Sequence, residues 1–567
     1  MNSELKKAIK DHLVTIESPR EIYELFQLLD YPEEYIFDES YKRKKDEFDF
    51  RGGDSDRILE IYQVMFIEDR LPVFFLETKT LTHSFIRRVT EKFETKYRRL
   101  LLIFASPSDD YSTIIFVLPQ REKVEIGKYK LKLIQLKVSR EEIRDRNEHY
   151  TVVHILSKIR YENENPRELW KKWLESFSVK KVTEDFFDDY TRVFFDIREQ
   201  IKEQGIPQKE AHEFTLQMLN RIMFTYFIAK KKWLKYPNFM KWYWEKYREQ
   251  GKFGSDEFYD VWLKELFFKA FNNRQNEIKA LPHDVKEVLS SFPYLNGGLF
   301  KENEKDKLDI RISDEAFKSI FDFFEKYNFT IKESAPFDVE VAVDPQMIGY
   351  VYESLSNVAE EIYDRRDMGI FYTPRVEVDF MCRRVLVEYL SKKMSDVPKE
   401  QFYHFIFDLP EKKDKSEEYF TENNLWDDLR IAMDDLSVAD PACGSGAFLV
   451  GMLNVLDELY RIIYKHTNVE MTDFERKYSI IKSSLYGVDV MPWAIHAAEL
   501  RLWLQLIIET ELKSEELRTS PLLPNFDLNL RVGDSLVQEI GGTSINLRTK
   551  RLNGKIREKL EDLKHQK

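Results

Sequence analysis

The sequence predicts an α/β protein in three parts. These are a small N-terminal α/β domain (residues 1–125), a central helical domain (126–340), and an α/β domain built on a strand, glycine turn and helix (341–567). Three observations carry that prediction. First, the string Ser437 to Gly446 begins as a short β-favouring segment that ends in Asp440. It continues through Pro441-Ala442-Cys443-Gly444-Ser445-Gly446 into a helical pattern with Phe448, Leu449, Met452, Leu453, Leu456, Leu459 and Ile463 on one face. Strand, glycine turn and helix form the geometry of a nucleotide-binding crevice, because glycines admit close backbone approach beside a helix N-terminus. Second, segments near the N-terminus follow the order β-β-α-β-β. Third, the stretch from about Arg140 to Tyr327 is helical and strongly aromatic.

Bulk composition narrows the class. A chain of 567 residues with 43% hydrophobic and 14% aromatic content folds around sizeable cores. No apolar run is long enough to cross a bilayer, and the N-terminus lacks a signal-peptide core. Only Cys382 and Cys443 are present, which excludes a disulfide framework or a cysteine zinc site and fits a reducing cytoplasm. The net charge of −13 has the wrong sign for general nucleic-acid affinity, so any DNA contact must come from local basic surfaces.

In chain order, Leu5, Ile9, Leu13 and Ile16 line one face of an initial helix. A hairpin is expected from Arg57–Ile67 and Pro72–Thr80 across Glu68-Asp69-Arg70, followed by a helix from Ser84 to Tyr97 and strands at 100–105 and 113–118. If Ile67 pairs with Pro72, Glu77 falls opposite Tyr62 and Lys79 opposite Glu60, with Glu60, Glu77 and Lys79 on one face. Glu77-Thr78-Lys79 resembles the E-x-K element of PD-(D/E)xK nucleases. That resemblance implies Mg²⁺ at Glu60 and Glu77, with Asp54, Asp56 or Glu60 as the further acid and Lys79 at the phosphate. A plain cross-strand Glu60–Lys79 pair on a solvated face explains the same residues and outweighs the nuclease.

His212 to Leu234 is apolar nearly all round, as in a buried helix, and Trp242, Tyr243, Trp244 and Tyr247 read as core. Lys230-Lys231-Lys232 reads as a solvated helix terminus, with DNA phosphate contact as the alternative. Pro293-Tyr294-Leu295-Asn296-Gly297-Gly298-Leu299-Phe300 carries a tight-turn signal. Asp344 is expected to cap a helix with Ile348, Val351, Tyr352 and Leu355 on its apolar face. Thr373 is expected to cap another that begins at Pro374 and runs through Val378, Phe380, Met381, Val385 and Leu386. Glu411 to Glu418 is expected to be an exposed loop.

Downstream, Leu485 to Asp489 forms a second strand ending in an acid, and Pro492 opens a helix. An acid at the end of the second strand suits ribose hydroxyls, a device that NAD-binding proteins share. Its separation from Gly446 exceeds the ~20 residues usual in dinucleotide folds. A third strand leads to Gly533-Asp534-Ser535.

Taken together, these strings resemble the adenine-specific, γ-class amino-methyltransferases of type IIG-like restriction-modification enzymes. PYLNGGLF, GIFYTP, DPACGSG, the acid Asp489 and PNFD…GDSL occur in that family's order. The resemblance implies the cofactor half of a doubly wound, Rossmann-like methyltransferase sheet, with strand order 3-2-1 on the cofactor side. It implies S-adenosylmethionine held by Phe371, Tyr372, Thr373, Pro374, Asp440, Ala442, Gly444, Gly446, Asp489 and Asp534. Asp489 is then at the ribose and Asp534 at the adenine. Double-stranded DNA is the implied partner, and its flipped adenine the methyl acceptor.

The family's (Asn/Asp)-Pro-Pro-(Tyr/Phe) motif occurs nowhere in the 567 residues. No residue for methyl transfer itself is therefore assigned. The expected protein is the front part of a truncated or split methylase, weak in cofactor binding and inactive on DNA unless a partner polypeptide completes it. The competing classes are an NAD-dependent oxidoreductase, a non-catalytic DNA-binding or assembly subunit, and a Mg²⁺-dependent nuclease.

Overall fold

The computed structural model describes residues 2–38, 40–50, 53–68, 70–125, 128–146, 149–231, 233–272, 277–292, 295, 298–330, 338–340, 342–358, 373–407, 410–509, 529–536, 539–540 and 543–544. Strands β1 (Ile58–Ile67), β2 (Leu71–Thr78), β3 (Leu101–Ala105), β4 (Thr113–Glu125), β5 (Lys128–Ser139) and β6 (Asp338–Glu340) form one sheet in that spatial order. The β2–β3 and β5–β6 pairs are parallel and the rest antiparallel. β2 is buried on both faces because helices cover both sides. Val73, Phe75, Leu101 and Ile103 face a core shared with Ile9, Leu13, Ile22 and Phe26. The alternate residues Phe74, Leu76, Leu102 and Phe104 face a second core under the His83–Lys96 helix.

The hairpin register differs from the sequence expectation. Ile67 pairs with Leu71 and Phe66 with Pro72, so the turn is one residue tighter, helped by Glu68 at φ 44°. Irregularities between Ile58 and Glu60 and between Gln63 and Met65 shift the pairing further, and Glu60 comes to lie opposite Glu77 instead of Lys79. β5, unforeseen despite the alternation of Tyr129-Lys130-Leu131-Lys132-Leu133, carries the sheet past residue 125. β6 is supplied from about two hundred residues further along the chain.

The central region packs around the Gln208–Ala229 helix, which is buried nearly all round and ends sooner than the expected Leu234. Tyr243, Trp244 and Tyr247 are core residues, with Trp242 packed at its edge. Arg221 and Asp306, both essentially inaccessible, form an ion pair there. The Arg221 guanidinium also donates to the carbonyls of Leu299 (2.7 Å) and Lys301 (3.3 Å). Phe300 fills the space between Phe224, Phe267 and Phe271. Leu299 and Phe300 are thus held by a buried charge pair and an aromatic cluster; Pro293, Tyr294, Asn296 and Gly297 lie outside the described residues. Lys230 is engaged by Glu142, and Lys231 donates to the Ile508 carbonyl at 2.7 Å, so both bind within the protein.

A second sheet contains β7 (Val438–Asp440), β8 (Leu485–Asp489) and β9 (Leu530–Val532), all parallel, in the order 7-8-9. This is the 3-2-1 arrangement expected of the cofactor side. Helices Ala447–Thr467, Asp473–Ser484 and Pro492–Glu509 make its crossovers and cover, together with Gln346–Val358 and Arg375–Lys393. Asp344 caps the Gln346 helix as expected, accepting from the Gln346 N–H at 2.9 Å, and it also pairs with Arg375. Thr373 does not cap: Pro374 occupies the N-cap position of Arg375–Lys393, and among the described residues no side chain caps that helix. Along it Val378, Cys382, Leu386 and Leu390 are buried, whereas Phe380, Met381 and Val385 are exposed. Glu411–Glu418 lies within a helix, Pro410–Glu422, instead of a loop. Its burial of Phe420 against Phe402, Phe405 and Trp426 stabilises helix over loop.

Candidate functional site

The C-terminal ends of β7, β8 and β9 bring together the acids and the glycine loop. The Asp440 carboxylate accepts from the Ala442 N–H (3.2 Å) and starts the turn. The loop is tied to β8 twice, through the Cys443 N–H to the Val488 carbonyl (3.0 Å) and the Gly444 N–H to the Asp489 carboxylate (2.9 Å). The other Asp489 oxygen accepts from the Met491 N–H at 2.9 Å, and the Asp489 carbonyl accepts from the Gly533 N–H at 2.9 Å. Each Asp489 oxygen retains a second lone pair for a ligand hydroxyl.

Gly446 stands at φ 80° and caps the Ala447–Thr467 helix; a Cβ there would lie 2.8 Å from the Ala498 Cβ and 3.1 Å from its Cα. The loop's fold therefore depends on glycine at this point. Asp534 is exposed and accepts from the Leu536 N–H at 2.8 Å, while the Ser535 hydroxyl donates to the Pro441 carbonyl at 2.5 Å.

Electrostatically the crevice is acidic. Burial, and then the neighbouring Asp489 charge, hold the Asp440 carboxyl above the usual range. Burial, reinforced by Asp440 and Asp489, pushes the Cys443 thiol up to about 12. Cys443 is therefore a neutral packing group, and the carboxylates suit a cationic or hydroxyl-rich ligand.

Of the expected cofactor residues, Asp440, Ala442, Gly444, Gly446, Asp489 and Asp534 converge on this crevice. Thr373 and Pro374 precede the adjoining Arg375 helix, Pro374 as its N-cap residue. Phe371 and Tyr372 lie outside the described residues. Two residues that sequence reasoning missed support the loop. Arg501, 3% exposed, donates to the Ser445 carbonyl at 3.0 Å and approaches its hydroxyl at 3.4 Å. Gly349 of the Gln346 helix packs so closely that a Cβ would stand 2.4 Å from the Ser445 Oγ. Arg501 had no distinct signal in the sequence, since Glu499 of the same Pro492 helix is charged as well.

Beyond Val490 a cavity of about 330 Å³ opens between that turn and the Gln208 helix. His212, Leu216, Leu299 and Trp493 are among the residues that line it. The His212 Nδ1 is buried there without a hydrogen-bond partner among the described residues.

The N-terminal acids do not assemble in the same way. Glu77 is buried and accepts from the Tyr62 hydroxyl (3.2 Å) and from that of Tyr111. Glu60 pairs with Lys42 at 3.5 Å and Asp54 with Arg88 at 2.8 Å, while Asp56 and Lys79 are exposed. Among the described residues no group of three His, Cys, Asp or Glu side chains is placed to hold a metal ion. Nor, among them, is any helix long and apolar enough to cross a membrane.

Residues 413–538 match the family model described as the MmeI DNA-methyltransferase domain. The chain is 31% identical, over 57% of its length, to a putative type II restriction enzyme and methyltransferase of Methanocaldococcus jannaschii, of which it covers 27%. It is 22% identical, over 41% of its length, to DNA methyltransferase A of Bacillus subtilis, of which it covers 22%. The chain thus spans about a quarter of the length of these relatives. Among solved structures it is similar to the type IIL restriction-modification enzyme MmeI in complex with DNA. That match has a TM-score of 0.35 and 17% identity over 56% of this chain and 36% of that one. A DrdV–DNA complex matches with a TM-score of 0.28 and 13% identity over 94% and 40% of the two chains.

Proposed function

We propose that this chain, a member of the restriction-modification DNA-methylase family, is the cofactor-binding part of a site-specific DNA adenine methyltransferase that uses S-adenosylmethionine and acts on double-stranded DNA in the cytoplasm. The observation that carries the reading is the convergence of Asp440, Gly444, Gly446 and Asp489 at the ends of two adjacent parallel strands, within the segment that matches the methyltransferase model.

The residues present fit the cofactor. Gly446 lets the loop pack closely on Ala498 without a Cβ, and the Asp440 and Asp489 carboxylates beside it would suit a cationic, hydroxyl-bearing donor. When bound, the donor supplies an electrophilic methyl group. The Gly444 and Gly446 loop, Asp440 and Asp489 would hold and orient it, and alignment with the acceptor amine would be the source of acceleration.

The acceptor half requires more than these residues supply. Adenine's amine is a poor nucleophile and needs oxygen acceptors for its hydrogens, a role that the absent Asn-Pro-Pro-Tyr motif fills in the family. Among the described residues β7 pairs only with β8, so one of its edges is open to an added strand. Both points support completion by a polypeptide segment bearing that motif. Without it, the expected cofactor binding is weak and methyl transfer nil.

The test is equilibrium binding of S-adenosylmethionine together with methyl transfer to adenine in duplex DNA, for the chain alone and with a motif-bearing partner. Micromolar binding and adenine methylation by the chain alone would overturn the requirement for a partner. Failure of both after reconstitution would leave the assembly-subunit reading.

A further inference from the structure

We infer that Arg501 is a positioning residue for the cofactor loop. It fixes the Ser445–Gly446 peptide so that the glycine turn holds one backbone conformation against a ligand. This inference rests on the methyl-donor reading of the crevice.

Both ends of that peptide are engaged. Its carbonyl accepts from the Arg501 Nη1 at 3.0 Å, and its N–H donates to the Cys443 carbonyl at 2.8 Å. Ser445 is 2% exposed, so its carbonyl has Arg501 in place of water. Gly446, at φ 80°, has no Cβ to oppose rotation of the peptide in front of it, so the residue that permits the turn also admits a flipped peptide. Arg501 selects between the two states: in the flipped state the carbonyl turns away from the guanidinium and both groups lose their bond inside the protein. Gly349 closes the arrangement from a third side, since a Cβ there would fall 2.4 Å from the Ser445 Oγ and 3.2 Å from the Arg501 Nη1. Helices before and after the loop therefore meet at a single peptide. The contact needs two parts of the sheet's cover to be folded, so it couples the loop's conformation to their docking.

Backbone hydrogen exchange of the whole chain, resolved over residues 443–447, tests this. With Arg501→Met, exchange of those amides rises by about tenfold or more. The strand amides of β8 and those of the Gln208 helix stay at wild-type rates. Arg501→Lys, which keeps one charged donor, falls between, and it carries the test if the methionine variant does not fold. Ser445→Ala keeps the carbonyl and changes loop exchange by less than about threefold. Unchanged loop exchange in folded Arg501 variants overturns the inference, as does a rise spread evenly over the sheet. A parallel series with excess S-adenosylmethionine on the chain completed by the motif-bearing partner separates the two claims. If the wild-type loop gains no protection, the donor assignment fails while the Arg501 effect in the free protein still stands or falls by itself.

Discussion

Replacement of Gly446 by alanine probes the crevice most directly. At φ 80° and ψ 27° a side-chain-bearing residue occupies the left-handed region, which costs about 1–2 kcal/mol. The new Cβ would also stand 2.8 Å from the Ala498 Cβ and 3.1 Å from its Cα, inside a buried helix that cannot retreat freely. Overpacking of that kind costs roughly 1–3 kcal/mol. The expected destabilisation of Gly446→Ala is therefore about 2–5 kcal/mol, read by urea unfolding followed through far-UV circular dichroism. Ala498→Gly removes one of the two clashing atoms, and by itself costs about 1 kcal/mol as a helix glycine. In a double-mutant cycle it should return roughly 1 kcal/mol or more of the Gly446→Ala loss, leaving the backbone strain and the crowding against the helix backbone in place. Gly444→Ala, also left-handed at φ 52°, should show the conformational cost of about 1–2 kcal/mol. A Gly446→Ala protein within about 0.5 kcal/mol of wild type, or no coupling to Ala498, would refute the close approach of loop and helix.

Other consequences concern the rest of the chain. Arg221→Ala would leave Asp306 buried and uncompensated, with an expected loss of about 3–5 kcal/mol in chemical denaturation, whereas exposed Arg20→Ala would lose under about 1 kcal/mol. Burial lowers the His212 pKa from 6.5 to about 4, so below pH 6.5 the unfolded chain takes up a proton that the folded chain does not. Stability should fall as pH drops from about 6.5 toward 4, by on the order of 3 kcal/mol for this group. His212→Gln should shrink that acid-side loss, and an unchanged pH profile would count against the buried neutral imidazole. At the N-terminal sheet Glu60 and Glu77 lie side by side, but Glu77 is held by two tyrosines, so Mg²⁺-dependent DNA cleavage is expected to be absent. Cleavage that disappears in Lys79→Ala would reverse that expectation and restore the nuclease.

The sequence alone determined the elements whose signal is local. The Gln208 helix was legible because an apolar run at helical spacing admits no solvated face, and the strand-turn-helix at Asp440–Gly446 because glycines break one periodicity and start another. The order of β7, β8 and β9 was legible through resemblance, since parallel strands joined by helices leave few topologies. What only tertiary structure decided was non-local. The hairpin register turned on one residue of turn length and two bulges, which flanking alternation does not encode. Glu411–Glu418 looked like loop by charge, yet Phe420 draws it into a helix by packing on Phe402, Phe405 and Trp426. β6 joins its sheet from far along the chain, and Arg501 reaches Ser445 from a different helix. Glu77 shows the same limit in a candidate site: its spacing to Lys79 is written in the sequence, but the tyrosines that occupy its carboxylate arrive from a neighbouring strand and a distant loop. Periodicity and turn chemistry act over a few residues, whereas register, burial of a charge and the partners of a side chain depend on which surfaces meet, and that is settled only when the chain packs.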